Sequence, residues 1–214
     1  MDEVSKAGRT VLFVSHQLGM LSQLCQSCIL IEKGKIVLQG ETENVIQAYL
    51  NPESGDETGY YYNENEVSDK AAYFVYQKVV DDNGNSVSEI TNNDPVVLET
   101  KIRVESFHPE MELSLSLQHK LKGRIFTINT PLRNVMTTGE SEKTIRLEIP
   151  ANFIAPNHYS WISSIHVPGN HLNDVLWDEC RFAIKDTGTE FARYEGVDYG
   201  CVILDRYNLY ALEN

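Results

Sequence analysis

The sequence predicts a mainly β protein: an antiparallel sandwich or barrel preceded by a short α/β segment. Three observations carry this. From about Ala71 onward, apolar and polar residues alternate with period two through run after run. Turn residues separate those runs, beginning with Asp81-Asp-Asn-Gly-Asn85, where Asn-Gly is a strong hairpin signal. Before about Asn51 the pattern is different, with an unbroken apolar run followed by apolar residues at helical spacing. The chain of 214 residues has room for one large domain, or one domain and a fragment. The roughly 140 residues after Ala71 are enough to bury a core of their own.

The first segment opens with Thr10–Ser15, which is Val-rich and without polar alternation, as a fully buried strand requires. From Gln17 to Cys28 the pattern turns helical, with Leu18, Leu21, Leu24 and Cys25 on one face. Ile29 to Leu38 reads as two strands joined by a tight turn at Lys33-Gly34-Lys35. Gly40 breaks the chain. Thr42 is placed to cap a short helix carrying Val45, Ile46, Tyr49 and Leu50, which Pro52 stops.

Asn51–Asp69 has one Pro, two Gly, six acidic residues and almost no aliphatics, the composition of a linker. We set the boundaries at 1–51 for the first segment, 52–70 for the acidic linker and 71–214 for the β domain. Tyr60, Tyr61 and Tyr62 are unusual in such a segment. They either pack on a neighbouring domain or partner, or stand exposed.

The β domain begins with "AAYFVYQKVV". In "PVVLETKIRVE", Val96, Leu98, Ile102 and Val104 face one way and Glu99, Lys101, Arg103 and Glu105 the other. "MELSLSLQH" sets Met111, Leu113, Leu115 and Leu117 against Glu112, Ser114, Ser116 and Gln118. "KTIRLEI", "HYSWISSIHV", "VLWDECRFAI" and "YGCVILD" complete about eight strands. Half-buried strands at regular spacing, without helices, mean an antiparallel sandwich or barrel. The tail "YGCVILDRYNLYALEN" has no hairpin partner before it. It is either an ordinary edge strand or a segment exchanged between two protomers.

Composition excludes several functions. Hydrophobic residues make up 42% and charged residues 23%, an ordinary globular balance. No run approaches the ~18 apolar residues of a membrane span, and Met1-Asp-Glu-Val-Ser has no leader pattern. A net charge of −13 repels phosphate backbones, which argues against nucleic acid as a partner. Cys25 and Cys28 form a C-x-x-C in a helix-like run, without the further ligands that zinc needs, so buried apolar thiols are expected and no metal.

The β domain has no G-x-S-x-G, H-E-x-x-H or P-loop. His108, His119, His158, His166 and His171 are scattered. His158 and His166 share one strand face but stand about 26 Å apart on a straight strand, too far to share a metal. The polar strand faces hold more. Sugars are bound by aromatic rings stacked on C–H patches, with amide, guanidinium and imidazole groups reading the hydroxyls. His119, Arg124, Asn129, Tyr159, His166 and Trp177 are the candidate carbohydrate contacts. Against this, Trp161 shares its parity with Tyr159, Ile165 and Val167, which reads as core.

The segment "RTVLFVSHQL" ends a buried strand in Ser15-His16 just before a helix. In α/β nucleotide-binding folds a functional side chain sits at the carboxyl end of a strand. The longer stretch "GRTVLFVSHQLGMLSQLCQSCILIEKGKIVLQGETENVIQAYL" resembles the last part of an ABC-transporter ATPase domain. Such domains have a strand ending in Ser-His, a helix, a hairpin reading roughly i-x-x-G-k-i-x-x-x-G, and a short helix. The resemblance covers about Gly8 to Leu50. It implies that His16 is the switch histidine approaching the γ-phosphate, that Gly34 is the hairpin glycine, and that Gly40 precedes the last helix. The chain has no G-x-x-x-x-G-K-[ST], no "LSGGQ" and no Walker B carboxylates. Those parts are expected upstream of Met1, and the chain itself is expected neither to bind nor to hydrolyse ATP. No residue is catalytic here, and no cofactor is expected; ATP and magnesium belong to the intact parent.

An ABC ATPase segment followed by a sandwich is similar to the Wzt family, the ATP-binding subunits of O-antigen exporters. "VVDDNGNSVSEITNNDPVVLETKIRVE", "LSLSLQHKLKGRIFTINT" and "IPANFIAPNHYSWISSIHV" resemble its C-terminal domain over about Tyr73 to Ile184. Asn157-His158-Tyr159 stands where Gly-x-Tyr is usual. The resemblance implies an immunoglobulin-like or jelly-roll β-sandwich that binds lipid-linked O-polysaccharide. It also implies a homodimer, a membrane-spanning permease as partner of the intact protein, and a cytoplasmic location at the inner membrane face. Two alternatives stand beside it: a structural or dimerising sandwich without sugar contact, and an ABC-type regulator of another cargo.

Overall fold

A computed structural model describes residues 11–15, 18–32, 34–50, 59–62, 69–120, 122–137, 139–188 and 200–203. They fall into two compact units, one within residues 1–55 together with 120–123, the other within 56–119 and 124–214.

In the first unit, helix α1 (Leu18–Leu24) leads to strands β1 (Ser27–Glu32) and β2 (Lys35–Glu41) and to helix α2 (Thr42–Leu50). The strands pair antiparallel, and Gly34 makes their turn at φ 76°, a conformation glycine adopts without steric cost. The helix expected to run to Cys28 stops at Leu24, because Ser27 and Cys28 are drawn into the hairpin opposite Glu41 and Gly40. Cys25 and Cys28 are therefore half-buried at a helix–strand junction, not sealed thiols. The Thr42 hydroxyl donates to the Cys25 carbonyl at 2.7 Å and ties the start of α2 to that junction. Leu18 and Ile46 form a small core with Leu21 and Tyr49 against them.

The buried strand expected at Thr10–Ser15 is not formed over its described residues. Val11–Ser15 lie in no strand, and Leu12 and Val14 are 87% and 88% exposed. A parallel-type strand is stable only between neighbours, and no described sheet includes Val11–Ser15. Ile31, Ile36 and Val37 of the hairpin are exposed too. His16 lies outside the described residues.

The second unit is a two-layer sandwich. One sheet has the order β3-β4-β6-β9, from β3 (Gly59–Tyr61), β4 (Ala72–Val80), β6 (Val96–Val104) and β9 (Glu142–Ile149). The other has the order β5-β11-β10-β7-β8, from β5 (Glu89–Thr91), β7 (Glu112–His119), β8 (Gly123–Pro131), β10 (Asn157–Val167) and β11 (His171–Lys185). β10 pairs antiparallel with β7 and β11, and β5 pairs parallel with β11, so the second sheet is mixed. Alternation explains the core: Leu98 and Ile102 from one sheet meet Leu113, Leu117, Trp161 and Ile165 from the other, all nearly inaccessible. The expected β-sandwich is the observed fold.

One segment differs from expectation. Gly59–Tyr61, in the expected linker, adds an edge strand to β4. Its tyrosines divide their roles: Tyr60 packs against the core, Tyr61 is exposed near Tyr76, and Tyr62 stacks on Tyr73 with ring centroids 4.8 Å apart. Of the tail, Gly200–Ile203 are described; Val202 bridges Ile154, and the remainder lies outside the described residues.

The outer face of the first sheet is an ion-pair lattice. Burial raises the Glu99 carboxyl, but hydrogen bonds from Arg146 (2.8 Å) and Tyr76 (3.0 Å) and the charge of Lys78 outweigh it and hold the group below its usual range. Lys101 at 2.6 Å, with Arg103, lowers Glu142 in the same way. Both carboxylates bind protons more readily when unfolded, where the ordinary value is 4.5. The stability they add is thus complete above that value and is lost as pH falls through the depressed folded value. Melting temperature should drop steadily between about pH 5 and pH 3, and Glu99→Gln should flatten the slope. A slope identical to that of the unmodified chain would remove Glu99 from this account.

Candidate functional site

Cross-strand register builds the outer face of the five-stranded sheet. Between β7 and β10, Ser114 stands opposite Ser164, Ser116 opposite Ile162, Gln118 opposite Ser160 and Glu112 opposite His166. Between β10 and β11, Ser164 meets Val175, His166 meets Leu172 and His158 meets Ala183. On the other side, Ser116 and Thr127 share a hydrogen bond of 2.8 Å, which fixes the face of β8. Alternation then sets Asn129 beside Thr127 and turns Arg124 away. Trp177 lies two residues after Val175 and shares its side. The face therefore runs from hydroxyls and amides on β8 and β7, through Ser164 and His166, to an apolar strip of Ile162, Leu172, Val175 and Trp177.

A distortion in β11 shapes the edge of this strip. The β10–β11 register shifts on both sides of Trp161, and opposite it Asp178 and Cys180 adopt φ of 57° and 50°. Two such non-glycine residues in one strand mark a double bulge, a device that re-aims side chains. Asp178 accepts hydrogen bonds from the buried Ser160 hydroxyl at 2.5 Å and from Arg181 at 2.9 Å. Cys180 points the opposite way, into the core, where its thiol donates to the Gln77 carbonyl at 2.9 Å and burial pushes it up to about 12. Trp177 is left 65% exposed.

The six candidate contacts separate on this geometry. Asn129, His166 and Trp177 share the outer face, and the His166 ring lies 3.4 Å from the Ser164 hydroxyl. Arg124 is exposed, and strand alternation counted from Thr127 sets it on the other side of β8. His119 and Tyr159 are fully buried and offer a ligand no surface. Their rings pack edge to face at 5.4 Å, and the Tyr159 hydroxyl, its pKa raised by burial, donates to the Ala155 carbonyl at 2.6 Å. Both continue the inward parity of their strands, which is the physical reason they leave the set. Trp161 is sealed as well. Ser114, Ser164 and Thr127 join the face; of the three, Ser114 lies on the Ser/Gln side of "SLSLQH" that the sequence signalled. Asp178 and Arg181 had no signal, because a bulge between non-glycine residues has no local signature. Among the described residues no group of three His, Cys, Asp or Glu side chains is placed to hold a metal.

Comparison with solved structures shows the fold. The C-terminal domain of Wzt superposes with a TM-score of 0.50 at 12% identity, covering 70% of this chain and 91% of that one. The sandwich has the fold of the Wzt C-terminal domain. A β-glucosidase from Listeria innocua, solved with glucose, overlaps with a TM-score of 0.31 at 12% identity, over 55% of this chain and 16% of its own, too loosely to bear on fold or function. In sequence, 49 residues (23% of this chain) are 35% identical to the ABC transporter protein AbcA of Aeromonas salmonicida. The chain spans 16% of that relative's length. No family model matches. A stretch similar to an ABC transporter protein thus shares a chain with a Wzt-like sandwich. No described helix is long and apolar enough to cross a membrane.

Proposed function

We propose that the sandwich is the substrate-recognition domain of an ABC exporter subunit, holding a lipid-linked O-polysaccharide on the outer face of its five-stranded sheet. The observation that supports this reading is the exposed Trp177 beside rows of Ser, Thr, Asn and Gln side chains. An indole stacks on the C–H face of a pyranose, and hydroxyls and amides both donate to and accept from sugar hydroxyls. Such a face is open and wet, so each site binds weakly. On this reading ATP and magnesium are held elsewhere in the exporter, since residues 1–214 carry no G-x-x-x-x-G-K-[ST]. There the nucleotide cycle would drive extrusion through a membrane-spanning permease, with a second copy completing the dimer at the cytoplasmic side of the membrane.

Titration of the chain with O-polysaccharide fragments from its host, read by tryptophan fluorescence and calorimetry, tests the reading. Trp177→Ala should weaken binding by about three- to tenfold, the value of one aromatic stack, without lowering the melting temperature. Undiminished binding would exclude this face. Absence of binding in a chain that still dimerises would favour the purely structural sandwich.

A further inference from the structure

We infer that this face selects uncharged glycan, a polymer of neutral hexoses or deoxyhexoses, over polysaccharides carrying uronic acid or phosphate. The inference rests on the glycan reading above and names the substrate class for that face. Anionic sugars are held by cations free to turn toward them, usually a guanidinium offering two parallel donors. On this side of β7, β8, β10 and β11, the described strands place two full cations, Arg181 and Lys185. Both are engaged: Arg181 with Asp178 at 2.9 Å, its Nε also donating to the Asp178 carbonyl at 3.1 Å, and Lys185 with Glu89 at 3.1 Å. Arg124, three residues before Thr127, falls on the other side by alternation. The remaining ionisable groups are the carboxylate Glu112 and the imidazoles of His158 and His166. An incoming carboxylate or phosphate would therefore meet fixed negative charge locally, and a net charge of −13 at long range.

The uncharged groups point the other way. Ser114, Ser164, Thr127, Asn129 and Gln118 form a field of two-way hydrogen-bonding groups. Beside it lie Leu172, 55% exposed, and Trp177, 65% exposed, an apolar strip that suits a ring face or a deoxy carbon. The bulge is what commits Arg181. By turning Asp178 back under the sheet surface, onto Ser160, it sets a carboxylate where the guanidinium can reach it.

The test uses the full chain, a panel of neutral hexose and deoxyhexose oligosaccharides, and oligogalacturonate as the acidic probe, titrated at about 20 mM and about 500 mM NaCl. Neutral ligand should bind with an affinity that changes less than about twofold with salt, while oligogalacturonate should bind at least tenfold more weakly at both ionic strengths. Asp178→Asn keeps a residue that tolerates positive φ and releases Arg181, and should gain about tenfold affinity for oligogalacturonate. Tight, salt-sensitive binding of oligogalacturonate to the unmodified chain would overturn the neutral selection and leave the glycan reading standing. Failure of Asp178→Asn to gain would overturn the role assigned to the Arg181 pairing. If nothing in either class binds, the glycan reading falls, and this inference with it.

Discussion

Trp161→Ala is expected to destabilise the sandwich by about 3–5 kcal/mol, the usual cost of emptying a large aromatic site in a core. Trp161 is inaccessible to solvent and sits in the middle of β10, between β7 and β11. Its ring meets Phe126 of β8 edge-on, at 6.3 Å. Alanine would remove the largest inward side chain of the five-stranded sheet at the point where the register already shifts on both sides. A domain of this size has only about 5–15 kcal/mol of net stability, so melting should fall by about 10 °C or more. Trp161→Phe separates shape from polarity. The indole N–H is buried with no acceptor among the described residues, so phenylalanine removes an unsatisfied donor while refilling most of the volume. It should cost no more than about 1–2 kcal/mol. Equal losses for both variants, in thermal or urea melts, would mean that the indole nitrogen has a partner the structure does not show.

Period-two patterning made much of this architecture legible. In "KIRVE" and "SLSLQ" the alternation names the inward residues, and the shared parity of Tyr159, Trp161 and Ile165 put Trp161 in the core. The same rule, followed one step further in "MELSLSLQH", buries His119 with Leu113, Leu115 and Leu117; the chemistry of imidazole drew it onto the polar list instead. Tyr159 left the list for the same reason. The bulge at Asp178 and Cys180 was invisible, since positive φ there is imposed by tertiary pairing with β10 and not by glycine. Strand β3 was hidden by the acidic composition around it, because its pairing is set by β4. Thr10–Ser15 had the composition of a buried strand, but such a strand exists only where neighbouring strands receive it. At the candidate site, Trp177, His166 and Asn129 could be named from strand parity. Their assembly into one face depended on a register that turn lengths and bulges decide.

Asp174→Ala is expected to cost about 3 kcal/mol, and its cause can be separated from charge loss. Asp174 is 6% exposed and faces inward from β11, opposite Ile165. One carboxylate oxygen accepts the backbone N–H of Phe74 on β4 at 2.9 Å; the other takes the Lys70 ammonium at 2.6 Å and the Val175 N–H at 3.0 Å. The side chain thus fastens the two sheets at one end. A β-ladder leaves some N–H groups unmatched where its register slips, and the β4–β6 register shifts between Phe74 and Tyr76. Phe74 is fully buried, so removing Asp174 takes away the acceptor of its N–H where water cannot replace it. Lys70 is 45% exposed and already solvated, so its own contribution is small. Lys70→Ala should therefore cost less than about 1 kcal/mol, while Asp174→Asn, which keeps one acceptor, should fall between the two. Hydrogen exchange at the Phe74 amide offers a direct reading: strong protection in the unmodified chain and in Lys70→Ala, and lost protection in Asp174→Ala. If Lys70→Ala proved as damaging as Asp174→Ala, the ion pair, and not the backbone acceptor, would be what joins the layers.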